Sequence, residues 1–255
     1  MENLFNTSGE IILKRQKQNF SAGFCLIKEE LPNLVKKLSL LHQSEQEYYN
    51  TLLFNKRKAS YLLGRLAARL AISGFIKTKD TQSFYVDFGV FQFPVVKSSV
   101  NYNIQVSISH CDDIGIALAF PEAHPLGIDI ERISPDKIEI IKSQIGNNES
   151  DLISNCGLSL PVGGVIIWTV REALSKIFKA GLTMDPKTLE IASLKNVDSV
   201  YISSFSYFSQ YKAISCHAGN YICSIVVPAN TTAELEDFWN ALRSMLIEDH
   251  PKPVR

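Results

Sequence analysis

Residues 105–133, QVSISHCDDIGIALAFPEAHPLGIDIERI, hold the reading on which the fold turns. Residues 105–109 alternate polar and apolar side chains, the period of a half-buried strand. Residues 114–120 form a second short apolar run. Between the two lies His110-Cys111-Asp112-Asp113, a polar stretch suited to a hairpin tip. Residues 121–125 begin and end with proline and break the chain, after which residues 126–133 resume as a strand.

Working outward, residues 45–76 read as a helix with Leu62, Leu63, Leu66, Ala67 and Leu70 on one face. Lys58, Arg65 and Arg69 fall elsewhere on it, and Gly74 is a plausible stop. Residues 83–96 turn strand-like through Phe84, Val86 and Phe88, with Gly89 and Pro94 as punctuation. On the other side, a mixed helical region begins near Asp136, and the polar, glycine-containing residues 146–164 read as a loop. A strong helix is expected over 165–180, ending at Gly181. Residues 190–194, 200–207, 211–215 and 221–227 read as strands, and 232–247 as a last helix before a charged, proline-containing tail. Helix then strands, twice over, predicts an α+β fold of two similar halves, although no sequence repeat is visible.

The chain has 255 residues, enough for one large domain or two small ones. Its 45% hydrophobic and 20% charged residues exclude disorder, collagen-like repeats and coiled coil for the bulk. The balance of 26 basic against 26 acidic residues argues against a nucleic-acid coat. That neutrality is a cancellation. Residues 1–120 hold 14 Lys+Arg and 10 Asp+Glu, a charge of +4, while residues 121–255 hold 12 and 16, a charge of −4. The expected division is a basic half at 1–120, an acidic half at 121–228, and a helix with tail at 229–255. Such a division suits a cleft in which one side grips phosphates and the other holds a metal. Five scattered cysteines with no C-x-x-C pair argue against a disulfide framework or structural zinc, and for reduced thiols in the cytoplasm. The first ten residues lack a basic-then-apolar pattern, and the apolar runs are too short to span a bilayer.

Chemistry concentrates in three places. In Gly127-Ile128-Asp129-Ile130-Glu131, a strand sends Asp129 and Glu131 to one face and both isoleucines to the other. The acids are either solvated on an edge strand or share a hard cation, which takes one or two carboxylates plus phosphate oxygens. In the helix, Trp168, Glu172 and Lys176 form one stripe at i, i+4 and i+8, a surface pair or a partly buried base beside a lysine. Ser109-His110 ends a strand with a hydroxyl and an imidazole. Lys56-Arg57-Lys58 with Arg65 and Arg69 forms either a solvated helix face or a phosphate cradle. No Walker loop, G-x-G-x-x-G or H-E-x-x-H is present, and Cys111, Cys216, His217 and Cys223 lack metal spacing.

In order, Ser109-His110, then Gly-Ile-Asp-Ile-Glu at 127–131, then W-x-x-x-E-x-x-x-K at 168–176 with Gly181-Leu182, resemble the 4′-phosphopantetheinyl transferases. Specifically, the chain looks like the larger, monomeric, surfactin-synthetase-activating type. Tyr61-Leu-Leu-Gly-Arg65-Leu-Ala-Ala-Arg69 is similar to that family's N-terminal helix, and the resemblance covers about residues 45–227. It implies two α/β half-domains related by a pseudo-twofold, with coenzyme A between them. It implies transfer of the phosphopantetheine arm to a serine of an acyl or peptidyl carrier protein, releasing 3′,5′-adenosine diphosphate. The partners it implies are coenzyme A and the carrier, with no nucleic acid or membrane, and the metal is Mg²⁺ or Mn²⁺. Asp129, Glu131 and Glu172 match the metal ligands, and Glu172 also matches the group that deprotonates the carrier serine. Lys176 matches the lysine that contacts the phosphates and stabilises the leaving group, while Ser109 and His110 match residues near those phosphates. Arg57 and Arg65 fall where arginines of some members hold the adenosine phosphates, and Arg57 or Lys58 would have to replace the arginine that some relatives carry at Ser60. Three positions depart from the pattern. Ser60 stands where some relatives carry arginine, Gln92-Phe93-Pro94 only loosely matches G-K/Q-P, and Lys179 replaces a frequent glycine. Two other readings stay open: a metal-dependent phosphohydrolase using Asp129 and Glu131, and a scaffold that binds coenzyme or carrier without turnover.

Overall fold

Two five-stranded antiparallel sheets, each carrying one long helix, make up a computed structural model that describes residues 6–80, 82–98, 103–180 and 184–247. The first half holds β1 (Asn6–Lys14), β2 (Asn19–Lys28), α1 (Leu31–Val35), α2 (Gln43–Thr51), α3 (Asn55–Ile76), β3 (Phe84–Phe88), β4 (Pro94–Ser98), β5 (Ile104–Cys111) and β6 (Ile114–Pro121). The second holds β7 (Gly127–Arg132), α4 (Pro135–Gln144), α5 (Asn147–Asn155), α6 (Leu160–Ile177), β8 (Ile191–Val197), β9 (Val200–Phe205), β10 (Tyr211–Ala218) and β11 (Tyr221–Pro228). The chain closes with β12 (Thr232–Ala233) and α7 (Glu236–Ile247).

The first sheet has the order β12-β1-β2-β6-β5, and β3 and β4 form a separate hairpin beside it. The second has the order β7-β11-β10-β9-β8. Inward-facing residues of both sheets, among them Phe24, Ile116, Ile128 and Ile225, share one core with Phe238 and Leu242 of α7. Two further cores lie on the outer faces, one under α3 and one under α6. The last segment therefore returns to the first half: β12 pairs with β1 through Leu13 and Ala233, and α7 packs on β1 and β2.

The halves repeat one another more closely than the sequence suggests. Glu45 of α2 accepts from the N–H of His42, from Arg69 of α3 at 2.6 Å and from the N–H of Val86 on β3. Glu149 of α5 accepts from the N–H of Gly146, from Arg171 of α6 at 2.7 Å and from the N–H of Ile191 on β8. Two residues beyond each arginine, an alanine carbonyl lies against a glycine. A Cβ on Gly23 would strike the Ala71 oxygen, and one on Gly127 the Ala173 oxygen. The same clasp and the same close approach thus recur in both halves, as an α+β pair of related half-domains requires.

Those clasps explain where the chain departs from local expectation. Residues 45–76 form two helices, broken at 52–54, and not one. A continuous helix would put Glu45 and Arg69, 24 residues apart, about 36 Å from each other, whereas the fold brings them into contact. Likewise residues 146–164, expected as a loop, hold α5 and the start of α6, because Glu149 accepts from the Gly146 N–H at the start of α5 and pairs with Arg171 of α6. α3 passes Gly74 and ends where Lys77 takes a left-handed conformation (φ 54°). Residues 232–247 begin as a strand and become helical only at Glu236. At the β5–β6 hairpin only Asp112 and Asp113 turn, and His110 and Cys111 stay in β5. β1 and β2 arise from a stretch in which no elements were expected. Gly181-Leu182 and the tail beyond 247 lie outside the described residues. Among the described residues no single helix is long and apolar enough to cross a membrane.

Candidate functional site

The site grows from the seam between the halves, where the edge strands β5 and β7 lie side by side. Serine hydroxyls bridge this seam. Ser107 Oγ accepts from the Ile128 N–H at 3.0 Å, and Ser109 Oγ from the Ile130 N–H at 3.2 Å. Ile128 and Ile130 are fully buried in the shared core, so strand alternation turns Asp129 and Glu131 the other way, toward α6. Gly127, lacking a side chain, lets the Ala173 carbonyl come close and seats α6 directly over β7. Glu172 and Lys176, one turn apart on α6, are thereby presented at the seam.

Lys176 Nζ donates to the Ile128 carbonyl at 2.7 Å and to Asp129 Oδ1 at 2.8 Å. Ser109 donates to the same Oδ1 at 2.8 Å, while Asp129 Oδ2 is buried with no hydrogen-bond partner. The Cys111 thiol, two residues beyond Ser109, donates to Glu131 Oε2 at 3.7 Å. Burial pushes the Glu172 carboxyl above its ordinary range, the Asp129 charge adds to the push, Lys176 opposes it and Glu131 adds again. His110 keeps part of its surface exposed, yet protein atoms packed around the ring disfavour the imidazolium. Lys176 and Arg57 lower its pKa further, and Asp129 opposes them. Arg57, at the start of α3, is thus close enough to His110 of the same half for its charge to act on the ring.

A cavity of about 440 Å³ opens from Glu172 and Lys176 and has walls from both halves. Phe91 and Phe93 come from the β3–β4 hairpin, Val106 and Ile108 from β5, and Leu126 from the linker. Lys179 joins two parts of its lining, with Nζ 2.8 Å from Gln105 Oε1 and 5.2 Å from the Phe93 ring centre. A second cavity of about 140 Å³ lies beside Glu131 and is lined by Arg132, Ile140, Ile141, Val165 and Trp168.

Of the residues singled out in the sequence, Asp129, Glu131, Glu172, Lys176, Ser109, His110 and Arg57 share this neighbourhood. Arg65 does not. It is 5% exposed, stacked on Phe88 and Tyr61 and 3.9 Å from Glu45, in the core of the first half. The cations expected along one solvated or phosphate-gripping face of α3 are therefore divided, because the buried Glu45 carboxylate draws Arg65 and Arg69 inward. Lys58 Nζ sits 5.5 Å from the Tyr49 ring centre. Sequence reasoning missed Ser107 and Cys111 as seam residues. The available signal was the i, i+2, i+4 spacing of Ser107, Ser109 and Cys111, which matches the period of Asp129 and Glu131.

Among the described residues no three His, Cys, Asp or Glu side chains form a ready-made metal cage. The donor set nonetheless fits a hard cation that takes one or two carboxylates and completes its shell with water and substrate oxygens. Asp129 Oδ2 is an unpaired buried acceptor, and Asp129 and Glu131 are near enough to raise Glu172.

Residues 125–226 match the family model of the 4′-phosphopantetheinyl transferase superfamily. The match spans β7, α6 and the acids they carry. No curated protein matches the chain. Among 28 matching solved chains is a holo-(acyl-carrier-protein) synthase from Bacillus anthracis str. Ames in complex with CoA (3′,5′-ADP). It is 19% identical over 43% of this chain and 96% of that one, with a TM-score of 0.34.

Proposed function

We propose that this chain moves the 4′-phosphopantetheine arm of coenzyme A onto a serine of an acyl or peptidyl carrier protein, as the surfactin-synthetase-activating type does. The observation that carries the reading is the unpaired Asp129 Oδ2, buried where Glu172, Lys176, Ser109 and His110 converge from both halves within reach of a family match. In the reaction the serine Oγ–P bond forms and the P–O bond to 3′,5′-ADP breaks. Glu172, its pKa raised, accepts the serine proton directly or through water. Lys176, held by Asp129 and the Ile128 carbonyl, meets the charge that develops on the departing phosphate oxygen. His110, kept neutral, offers an N–H to a coenzyme phosphate with Arg57 beside it as the cation for the adenosine phosphates. Asp129 and Glu131, with Glu172, would hold a Mg²⁺ or Mn²⁺ ion, which neutralises pyrophosphate oxygens when bound.

The apolar walls of the larger cavity suit the pantetheine arm, and Glu172 and Lys176 in its lining would meet the reacting phosphate. Ile140, 56% exposed, and Arg132 flank the smaller cavity and offer apolar and basic contacts to an arriving acidic carrier helix. One chain supplies both sides of the site, which suits a monomer, and its five free cysteines suit the cytoplasm. Incubation with coenzyme A, Mg²⁺ and a panel of apo-carriers tests the reading by mass spectrometry. The expected result is the phosphopantetheine mass on a carrier serine. Folded protein that modifies no carrier overturns it: coenzyme cleavage without a carrier indicates a phosphohydrolase, and Mg²⁺-dependent binding alone indicates a scaffold.

A further inference from the structure

We infer that Ser109 is a positioning residue that holds the Asp129 carboxylate from across the half-domain seam, and that it makes no contact with coenzyme phosphate. The inference rests on the phosphopantetheinyl-transfer reading of the site, but its geometry is independent of that reading. A serine hydroxyl has one hydrogen and two acceptor lone pairs. The Ser109 hydrogen goes to Asp129 Oδ1 at 2.8 Å, and its oxygen takes the Ile130 N–H at 3.2 Å. The residue is 5% exposed. No proton is left to offer a phosphate, and no open surface remains from which to offer one.

Asp129 Oδ1 is gripped by one donor from each half, Ser109 of β5 and Lys176 of α6, and this grip leaves Oδ2 as the unpaired oxygen. The rotamer of the carboxylate is therefore set only when the halves are closed on each other. Cys111, the next same-face residue of β5, repeats the arrangement by donating to Glu131. The edge strand of the first half thus orients both acids of the second. Outer partners of this kind typically change metal affinity or activity about 10–100-fold when removed.

The test compares the full-length protein with Ser109→Ala and Ser109→Thr. Readouts are Mn²⁺ affinity by electron paramagnetic resonance, kcat, and KM for coenzyme A, which separate positioning from direct binding. In Ser109→Ala, Mn²⁺ affinity and kcat are expected to fall about 10–100-fold. KM for coenzyme A is expected to stay within about twofold, and Ser109→Thr, which keeps the hydroxyl, to recover most of the loss. A raised KM with unchanged kcat overturns the inference in favour of a phosphate contact. Wild-type values in Ser109→Ala, or a threonine variant no better than the alanine one, overturn it as well. Should Ser109→Ala not fold, Ser109→Cys keeps the shape with a weaker donor and carries the same comparison. Wild-type protein that modifies no carrier defeats the transfer reading alone, and the Mn²⁺ measurement still decides the role of Ser109.

Discussion

Glu149 meets the Arg171 guanidinium through both carboxylate oxygens, each 2.7 Å from Nη2, in a contact where neither side chain is more than a tenth exposed. It joins α5 to α6, the helix that presents Glu172 and Lys176, and Glu45 with Arg69 does the same in the first half. Removing one partner leaves a buried charge without its counter-ion. Glu149→Ala and Glu45→Ala are each expected to lower stability by about 3–5 kcal/mol. Urea denaturation monitored by tryptophan fluorescence measures this, and Glu149→Leu with Arg171→Met together should cost much less.

Gly127→Ala probes the approach of α6 to β7. The new Cβ would collide with the Ala173 carbonyl oxygen, so the helix must lift. Overpacking of this kind costs about 1–3 kcal/mol. Displacing Glu172 and Lys176 by an ångström should lower kcat about 100-fold. Gly23→Ala, with the matching collision against Ala71, should lose similar stability, as read by thermal melts of both variants.

The raised pKa of Glu172 makes a signed prediction. A carboxyl whose folded-state pKa lies above its unfolded value binds more protons when folded, so stability falls as pH rises between the two values. Above that window the full cost of burying the anion is present. In the metal-free protein, Glu172→Gln should therefore raise the melting temperature at pH 7 and leave it nearly unchanged at pH 4. Its kcat should fall about 10²–10⁴-fold, since a glutamine cannot take the serine proton. Calorimetry in chelator and a transfer assay measure the two effects.

Lys176 makes two hydrogen bonds, to the Ile128 carbonyl and to Asp129 Oδ1. Lys176→Ala should reduce kcat about 10²–10³-fold, the usual effect of deleting one donor to a developing oxyanion. Lys176→Arg should rescue little, because a planar fork does not fit the paired contacts of a compact ammonium. Single-turnover rates at saturating coenzyme distinguish this from weaker binding.

Arg57 of α3 lowers the pKa of His110 on β5, within the first half. Arg57→Ala should raise the imidazole pKa, followed by proton NMR, and raise KM for coenzyme A by about tenfold through loss of a phosphate fork.

The sequence by itself determined which side chains share a face. Strand period sends Asp129 and Glu131 together away from Ile128 and Ile130. Helix period puts Glu172 and Lys176 on one stripe. Both follow from backbone geometry over a few residues, which no tertiary contact changes. What each charged group meets was decided only by the tertiary structure. Arg65 looks like a solvated cation until Glu45, twenty residues earlier, is folded beneath it. Residues 146–164 look like a loop until Glu149 finds Arg171. Ser109 is a hydroxyl with no visible partner until β5 is laid against β7 and its hydrogen goes to Asp129. Burial and pairing depend on segments distant in the chain, and the energy of a charge depends on its surroundings far more than on its neighbours in sequence.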